Sequence, residues 1–424
     1  MCKKAVLFDL DGTLFPTHKV TIPAVTEALN ELHIPPVADK QIKQRIGQTS
    51  ESLASSLLPG SQMHVRQQFV KIVRRNERRL ISQEASCFPG VRGMLDELLG
   101  LGYNLGICSN GSLEYIHQVL QSCGIDHCFT WISGAVPGST KATRLRSLLA
   151  ETGVQCAAFV GDRCEDIIAA QECKLPSIGV SYGYGGEEVE LATFTAQTVK
   201  EITSYVMLSE VFHNILLHID TLSCSTPRII GVNGIDTSGK TRFALGLSSY
   251  LKSLGRKVTL IHIDDFHNHK EIRLRGQNEV VAYLDNAFNL DLLETELLRP
   301  AKQGLSIDKT LTLLDLKTET YSLERRFTID SETIVIVEGV LLYRPPIDQH
   351  IDVRVFLDIP FEEVLHRASV RDVPMYGIDI LERYRTKYLP AQEHYLKVYH
   401  PMDKSHLVID NTDYTKPRIV RSVS

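Results

Sequence analysis

Apolar runs of strand length alternate with stretches of helical periodicity along the whole chain. In the first half they are Ala5–Leu10, Asn104–Cys108, Ala157–Val160 and Ser177–Val180. In the second they are Arg228–Val232, Val258–His262, Thr333–Glu338, Val353–Leu357 and Leu407–Ile409. Continuous apolar runs suit strands covered on both faces, and their alternation with helices is the pattern of parallel sheets. The expected fold class is α/β, with two doubly wound parallel-sheet domains. At 424 residues the chain has room for two or three domains of about 150 residues.

The pattern is interrupted twice. Between Pro16 and Ser86 no strand is expected. There Val65, Phe69, Ile72, Val73 and Leu80 recur at helical spacing beside Arg74, Arg75, Arg78 and Arg79. This predicts an all-helical insert after the first strand, with the arginines on a solvated face. Near Val199–Asp220 a long helical pattern runs into Ser-Cys-Ser-Thr-Pro at 223–227, a boundary signal ahead of a fresh strand. The expected domains are 1–205 with the insert at about 16–86, a linker helix and seam at 206–226, and 227–424.

Apolar residues make up 43% of the chain and charged residues 23%, which excludes wholesale disorder. The net charge of −5 argues against a generally basic surface, so nucleic acid is not an expected partner. No stretch approaches the ~20 apolar residues that span a bilayer, so no membrane partner is expected. The nine cysteines lie between Cys2 and Cys224, with no CxxC pair and no zinc spacing. An odd count without a secretion signal points to reduced thiols and a cytoplasmic protein. The expected partners are small-molecule substrates, with no bias toward any oligomeric state.

Asp9 and Asp11 follow the first strand in Phe-Asp-Leu-Asp-Gly-Thr, at the sheet end where such folds bind ligands. One carboxylate can attack phosphorus while the other moves protons. Ser109 follows the second strand and suits a phosphoryl oxygen. Lys141 follows a Gly/Pro-rich loop and suits phosphate charge. Asp162 and Asp166 follow a further strand and make, with Asp9, an oxygen-rich set for Mg²⁺. Cys108 reads as a buried small hydrophobe rather than a nucleophile.

Over roughly residues 1–205 these motifs resemble the haloacid dehalogenase superfamily, most closely its phosphoglycolate phosphatase and nucleotidase branch. The resemblance implies a Rossmannoid domain whose helical insert is a cap selecting small substrates. It implies Asp9 as nucleophile, Asp11 as general acid/base, and Ser109 and Lys141 as phosphate contacts. The expected metal set is Asp9, Asp11, Asp162 and Asp166. One departure stands out: the family's lysine is often followed by proline, and Lys141 is followed by Ala142.

In the second half, Gly234-Ile-Asp-Thr-Ser-Gly-Lys240-Thr241 fits GxxxxGK[ST] after an apolar strand and before a helical pattern. Gly234, Asp236, Thr237, Ser238, Gly239, Lys240 and Thr241 are the expected ATP contacts. Lys240 would reach the β/γ-phosphates and Thr241 would reach Mg²⁺. Asp264 or Asp265 after the next strand could accept a hydroxyl proton, Glu338 ends another strand and suits the metal shell, and Arg367 and Arg371 share one helical face.

These residues, over about 225–415, resemble the uridine kinase family, with phosphoribulokinase and pantothenate kinase as relatives. The resemblance covers the Asp-Asp-Phe motif, Tyr283 with Asn286-Ala-Phe-Asn, the Val-Glu-Gly strand end and the Arg-x-x-x-Arg-Asp lid. It implies a P-loop nucleoside triphosphate hydrolase-like kinase with Asp264 as the preferred base, Glu338 near Mg²⁺, and Arg367 and Arg371 in the lid. Val373–Asp379 carries no further lid arginine, so an acceptor other than a nucleoside stays open. His262, His267 and His269 are not expected to bind metal. Arg325-Arg326 reads as a surface pair, and Tyr384, Tyr388 and Tyr395 read as a core face.

The resulting expectation is a bifunctional Mg²⁺-dependent phosphatase and ATP-dependent kinase. Two alternatives fit the sequence less well. Polynucleotide 5′-kinase/3′-phosphatase end repair fits poorly with an acidic chain and a cap that would crowd a polymer. A regulatory protein with one inactive half fits poorly with complete motifs in both halves.

Overall fold

The computed structural model describes residues 4–154, 156–222 and 225–423. Cys2, Cys224 and the start of the 223–227 boundary signal lie outside the described residues. The chain divides into two compact units, Met1–Ser209 and Glu210–Ser424. The division falls inside a helix, Val199–Asp220, over the residues whose periodicity suggested one.

The first unit holds six strands: β1 (Lys4–Phe8), β2 (Asn104–Cys108), β3 (Phe129–Ser133), β4 (Cys156–Gly161), β5 (Ser177–Val180) and β6 (Phe194–Ala196). They pair in parallel in the order β3-β2-β1-β4-β5-β6. The order reverses between β1 and β4, the place where doubly wound sheets open a ligand crevice. Val6, Leu7 and Phe8 of the central strand are buried, as a strand covered on both faces requires. β3 and β6 were not expected. They are the two edges, and polar or exposed residues such as Thr130 and Thr195 break their apolar runs.

Four helices, His18–Glu31, Asp39–Lys43, Ser50–Leu57 and Met63–Glu84, make up the insert. Met63–Glu84 buries Phe69, Val70, Ile72, Val73, Leu80 and Ile81. Its four clustered arginines point outward and each meets a carboxylate: Arg74 with Glu51, Arg75 with Glu31, Arg78 with Glu114 and Arg79 with Glu27.

The second unit holds β7 (Arg228–Gly234), β8 (Val258–His262), β9 (Ile307–Asp315), β10 (Thr320–Ile329), β11 (Ile334–Gly339), β12 (Val353–Asp358), β13 (Leu407–Asp410) and β14 (Arg418–Ser422). The sheet order is β14-β13-β12-β7-β11-β8, parallel except for β14. β9 and β10 form a separate antiparallel hairpin. This hairpin was not expected. Its apolar residues alternate with polar ones, so it presents no continuous run; Ile307, Leu313, Phe327 and Ile329 turn inward to the core. Among the described residues no helix is long and apolar enough to cross a membrane.

Candidate functional site

Asp9, Ser109 and Asp162 directly follow β1, β2 and β4, three adjacent strands, so parallel pairing brings residues far apart in sequence to one sheet end. Carboxylate oxygens of Asp9, Asp162 and Asp166 lie within 4.8 Å of one another, all buried. Lys141 opens the helix Lys141–Thr152, whose start is fixed by a capping box between Thr140 and Thr143. Its buried ammonium donates to Asp9 Oδ1 at 2.8 Å and to Asp166 Oδ1 at 2.5 Å.

Burial raises the Asp9 carboxyl well above the usual range, against the pull of Lys141. Burial also pushes Asp162 up to about 7, with Asp166 adding to it. For Lys141, burial works to lower its proton affinity, but Asp166 and Asp9 outweigh it and keep the side chain an ammonium. Three carboxylates against one ammonium leave surplus negative charge in an all-oxygen donor set. That set fits Mg²⁺, a hard cation, and Asp9, Asp162 and Asp166 are the residues that would hold it.

Asp162 is oriented by the Tyr184 amide, 2.6 Å from Oδ2, and by Thr13 Oγ1, 3.4 Å from Oδ1. The chain passes so close at Gly12, with φ +84°, that a Cβ there would lie 2.3 Å from Asp162 Oδ2. Glycine in the Asp-Gly-Thr turn is thus required on two counts.

The Asp11 carboxylate is not among these clustered oxygens. Its Oδ1 accepts from Thr17 Oγ1 and from the Tyr115 hydroxyl, both at 2.6 Å. Burial raises its proton affinity, while these two hydrogen bonds act to lower it. A carboxyl that holds a proton more tightly than usual suits a general acid. Ser109 is buried; its Oγ accepts from the Gly111 amide at 3.2 Å. Arg144, also buried, donates to Asn110 Oδ1 at 2.6 Å and pins this loop. Cys108 is buried and its thiol is pushed up to about 11 by burial, as befits an inert packing residue.

Beside Asp11 lies a cavity of about 190 Å³, lined by residues of the insert and of the sheet end, among them Thr21, Arg45, Glu77, Asn110 and Tyr115. Arg163 ties the two sides together by donating to the carbonyls of Gln44 and Ile46 at 2.9 and 2.7 Å. Glu77 accepts from Thr21 Oγ1 at 2.7 Å, and burial pushes its carboxyl up to about 7. Tyr115, Arg144, Arg163 and Glu77 were not singled out from the sequence. Their signal lies in the fold, because their partners are remote in the chain.

In the second unit β7 runs into the loop 234–241 and then the helix Lys240–Ser253. Thr237 and Gly239 both adopt left-handed backbone, φ +56° and +91°. Alternating handedness of this kind shapes a nest of amides for an anion, and the helix start adds unpartnered N–H groups. Lys240 is buried and donates to the Ile235 carbonyl at 2.8 Å. Burial lowers its proton affinity, against Asp236, Glu338 and Asp264. Thr241 Oγ1 donates to Glu338 Oε1 at 3.0 Å. β11 pairs Glu338 with His262 of β8, whose Nδ1 lies 2.6 Å from the same oxygen. Gln392 brackets Asp236, donating to Oδ2 at 2.5 Å and accepting from its amide at 2.9 Å. Ser238 is buried, with its carbonyl held by Asn411 at 2.7 Å.

The two candidate bases separate here. Asp265 is engaged by Arg325, whose Nε lies 2.8 Å from Oδ2. Asp264 is exposed, and its charge reaches Lys240 and Asp236. Arg325 and Arg326 are both exposed, the surface pair expected, and each meets a carboxylate, Asp265 and Asp308.

The lid arginines also separate. Arg371 pairs with Asp372 and lies within electrostatic reach of Lys240 and Asp236. Arg367 spends four of its five donors on Glu363, the Thr237 carbonyl and the carbonyls of Asn411 and Thr412. These contacts buttress the loop. Among the described residues no histidine joins a metal-ligand group; His267 faces the Asp264 carbonyl and His269 caps a helix turn. Tyr384 and Tyr395 are buried, whereas Tyr388 lines a cavity.

Comparison with known proteins matches each unit separately. Residues 6–180 match the family described as Haloacid dehalogenase-like hydrolase, and residues 229–416 match the Phosphoribulokinase / Uridine kinase family. A phosphoglycolate phosphatase of Vibrio parahaemolyticus is 26% identical over 222 residues, covering 49% of this chain and 97% of its own. One of Yersinia pestis is 29% identical over 196 residues, covering 44% and 84%. A solved structure described as a possible uridine kinase from Bacillus stearothermophilus is 25% identical at a TM-score of 0.37, covering 47% and 98%. By these matches the chain is a fusion of a haloacid dehalogenase-like hydrolase with a phosphoribulokinase/uridine kinase-family segment, a phosphatase joined to a kinase.

Proposed function

We propose that the first unit hydrolyses a small phosphate monoester through an aspartyl-phosphate. Asp9 attacks phosphorus and the ester P–O bond breaks, while Asp11 gives its proton to the leaving alcohol oxygen. Asp11 then takes a proton from water, which attacks the phosphoaspartate, releases inorganic phosphate and restores Asp9. Ser109 and Lys141 hold phosphoryl oxygens. Mg²⁺ bound at Asp9, Asp162 and Asp166 would supply charge neutralisation. The observation that carries this reading is the buried Lys141 bridging Asp9 and Asp166, with Asp162 alongside and Asp11 held apart as an acid. The relatives named phosphoglycolate phosphatase make phosphoglycolate the first compound to assay.

The second unit, in this reading, transfers the γ-phosphoryl group of ATP to the hydroxyl of a small alcohol. Asp264 accepts the hydroxyl proton, the oxygen bonds to the γ-phosphorus, and the bond to the bridging oxygen breaks to release ADP. The loop 234–241 and Lys240 cradle the phosphates, Thr241 and Glu338 would hold Mg²⁺, and Arg371 offsets charge in the transfer. Purified full-length protein tests both halves at once. Asp9→Asn is expected to abolish phosphate release and spare ADP formation, and Lys240→Ala to do the reverse. A substitution that leaves its assigned reaction intact removes that assignment.

A further inference from the structure

The second unit has a cavity of about 210 Å³ that the phosphate-binding loop does not use. His267, Arg273, Tyr283, Arg383, Lys387 and Tyr388 line it. It adjoins the proposed base, since His267 Nδ1 lies 2.7 Å from the Asp264 carbonyl oxygen. Tyr283 is half-buried and within electrostatic reach of both Asp264 and Asp236, so this wall lies near the transfer chemistry.

One wall is aromatic. The rings of Tyr283 and Tyr388 meet edge to face at 5.1 Å, and the Lys387 ammonium lies 5.6 and 5.5 Å from their centroids. The other feature is charge. Arg273 pairs with Glu319 but leaves its buried Nε without a partner. Arg383 and Lys387, four residues apart, have no hydrogen bond and no ion pair to a carboxylate among the described residues. Several cations of the unit are matched with acids, as in Arg256–Asp220, Arg326–Asp308 and Arg418–Asp410. Burial lowers the proton affinity of Lys387, and Arg383 and Arg273 lower it further against Glu279. Cations crowded around a partly desolvated space, short of counter-charge, form a site that an anion completes.

Resting on the kinase reading above, we propose that this cavity binds the acceptor alcohol and that the acceptor is an anion. Its carboxylate or phosphate group is held by Arg383, Lys387 and Arg273, and its hydroxyl faces Asp264. A neutral nucleoside would fill the aromatic wall and leave the cations unanswered. The donor's phosphates have their own cradle in the loop and Lys240.

The test uses full-length protein with Mg-ATP and follows ADP formation, with Lys240→Ala as the blank. Matched acceptors differ only in charge: glycerate against glycerol, pantothenate against pantothenyl alcohol, and ribulose 5-phosphate against ribulose, with uridine as a neutral nucleoside. The charged member is expected to exceed its neutral partner at least 10-fold in kcat/KM; the carboxylate and phosphate arms tell the two anions apart. Lys387→Ala and Arg383→Ala are each expected to raise KM for the charged acceptor at least 10-fold, with KM for ATP within twofold, and Lys387→Arg to restore most of the loss. Equal turnover of uridine or another neutral alcohol overturns the anionic acceptor while leaving the kinase standing. A parallel rise in KM for ATP overturns it too, by giving the cations to the donor. Absence of Lys240-dependent ADP with every acceptor counts against the kinase reading itself, and against this inference with it.

Discussion

In the first unit an ammonium, Lys141, sits between two of three clustered carboxylates; in the second an ammonium, Lys240, sits against a backbone carbonyl of its own loop. Both are buried, but they answer different demands. Lys141 compensates charge that the fold itself has gathered, so it is part of what holds that sheet end together. Among the described residues Lys240 has no carboxylate in contact, and it is poised for charge that arrives with a ligand. The first site is built from strand ends distributed over the unit, and the phosphate cradle of the second from eight consecutive residues. A lysine at a phosphate site can thus be structural and chemical at once, or chemical alone.

The widest break in this comparison is expected from Lys141→Ala. It strips Asp9 and Asp166 of their buried counter-ion, and removing one partner of a buried pair costs about 3 to 5 kcal/mol. Phosphate release should vanish and the unfolding midpoint of the first unit should fall sharply by calorimetry. Lys240→Ala should abolish ADP formation with little change in the unfolding midpoint, because only a hydrogen bond worth about 1 kcal/mol is lost. Equal thermal effects of the two substitutions would erase the distinction.

The two arginines of the second unit sharpen it at smaller scale. Arg371→Ala should lower kcat about 10-fold or more while KM for ATP stays put, as expected for charge offset in the transfer step. Arg367→Ala should instead raise KM for ATP and lower the unfolding midpoint, because three backbone carbonyls around the loop lose their donor. A kcat effect alone for Arg367→Ala would return it to the lid.

How much of each site could be read in advance follows from the same contrast. The loop 234–241 is contiguous, so its glycine spacing and flanking strand were visible in one line of sequence. The buried central strands were visible as apolar runs, while edge strands β3, β6 and β14 and the β9–β10 hairpin, half polar, were not. Asp9, Ser109, Lys141 and Asp162 were legible through their order after successive strands, even with Ala142 where proline is common. What stayed hidden were side chains whose partners come from far along the chain. Tyr115 reaches Asp11 across 104 positions, and Arg325 reaches Asp265 across 60. That second contact is what separates Asp265 from Asp264, and no local pattern contains it. The contacts of Arg367 to the carbonyls of Thr237, Asn411 and Thr412 were hidden for the same reason.

The smallest expected effect concerns Glu77, which the sequence did not mark at all. Its carboxyl titrates at about 7 in the folded protein against an ordinary 4.5, chiefly through burial, with Asp11 adding to the shift. Between these values the folded state binds more protons than the unfolded state, so stability from this group is complete below pH 4.5 and is lost as pH rises through 7. Glu77→Gln keeps an acceptor for Thr21 and removes the titration. The variant should match the parent's unfolding midpoint at pH 4 and exceed it at pH 8, by about 2 °C or more for a unit of this size. A midpoint difference that does not vary between these pH values would mean that Glu77 is ionised alike in both states. The cavity beside Asp11 would then be far wetter than its lining of Thr21, Glu77 and Tyr115 implies.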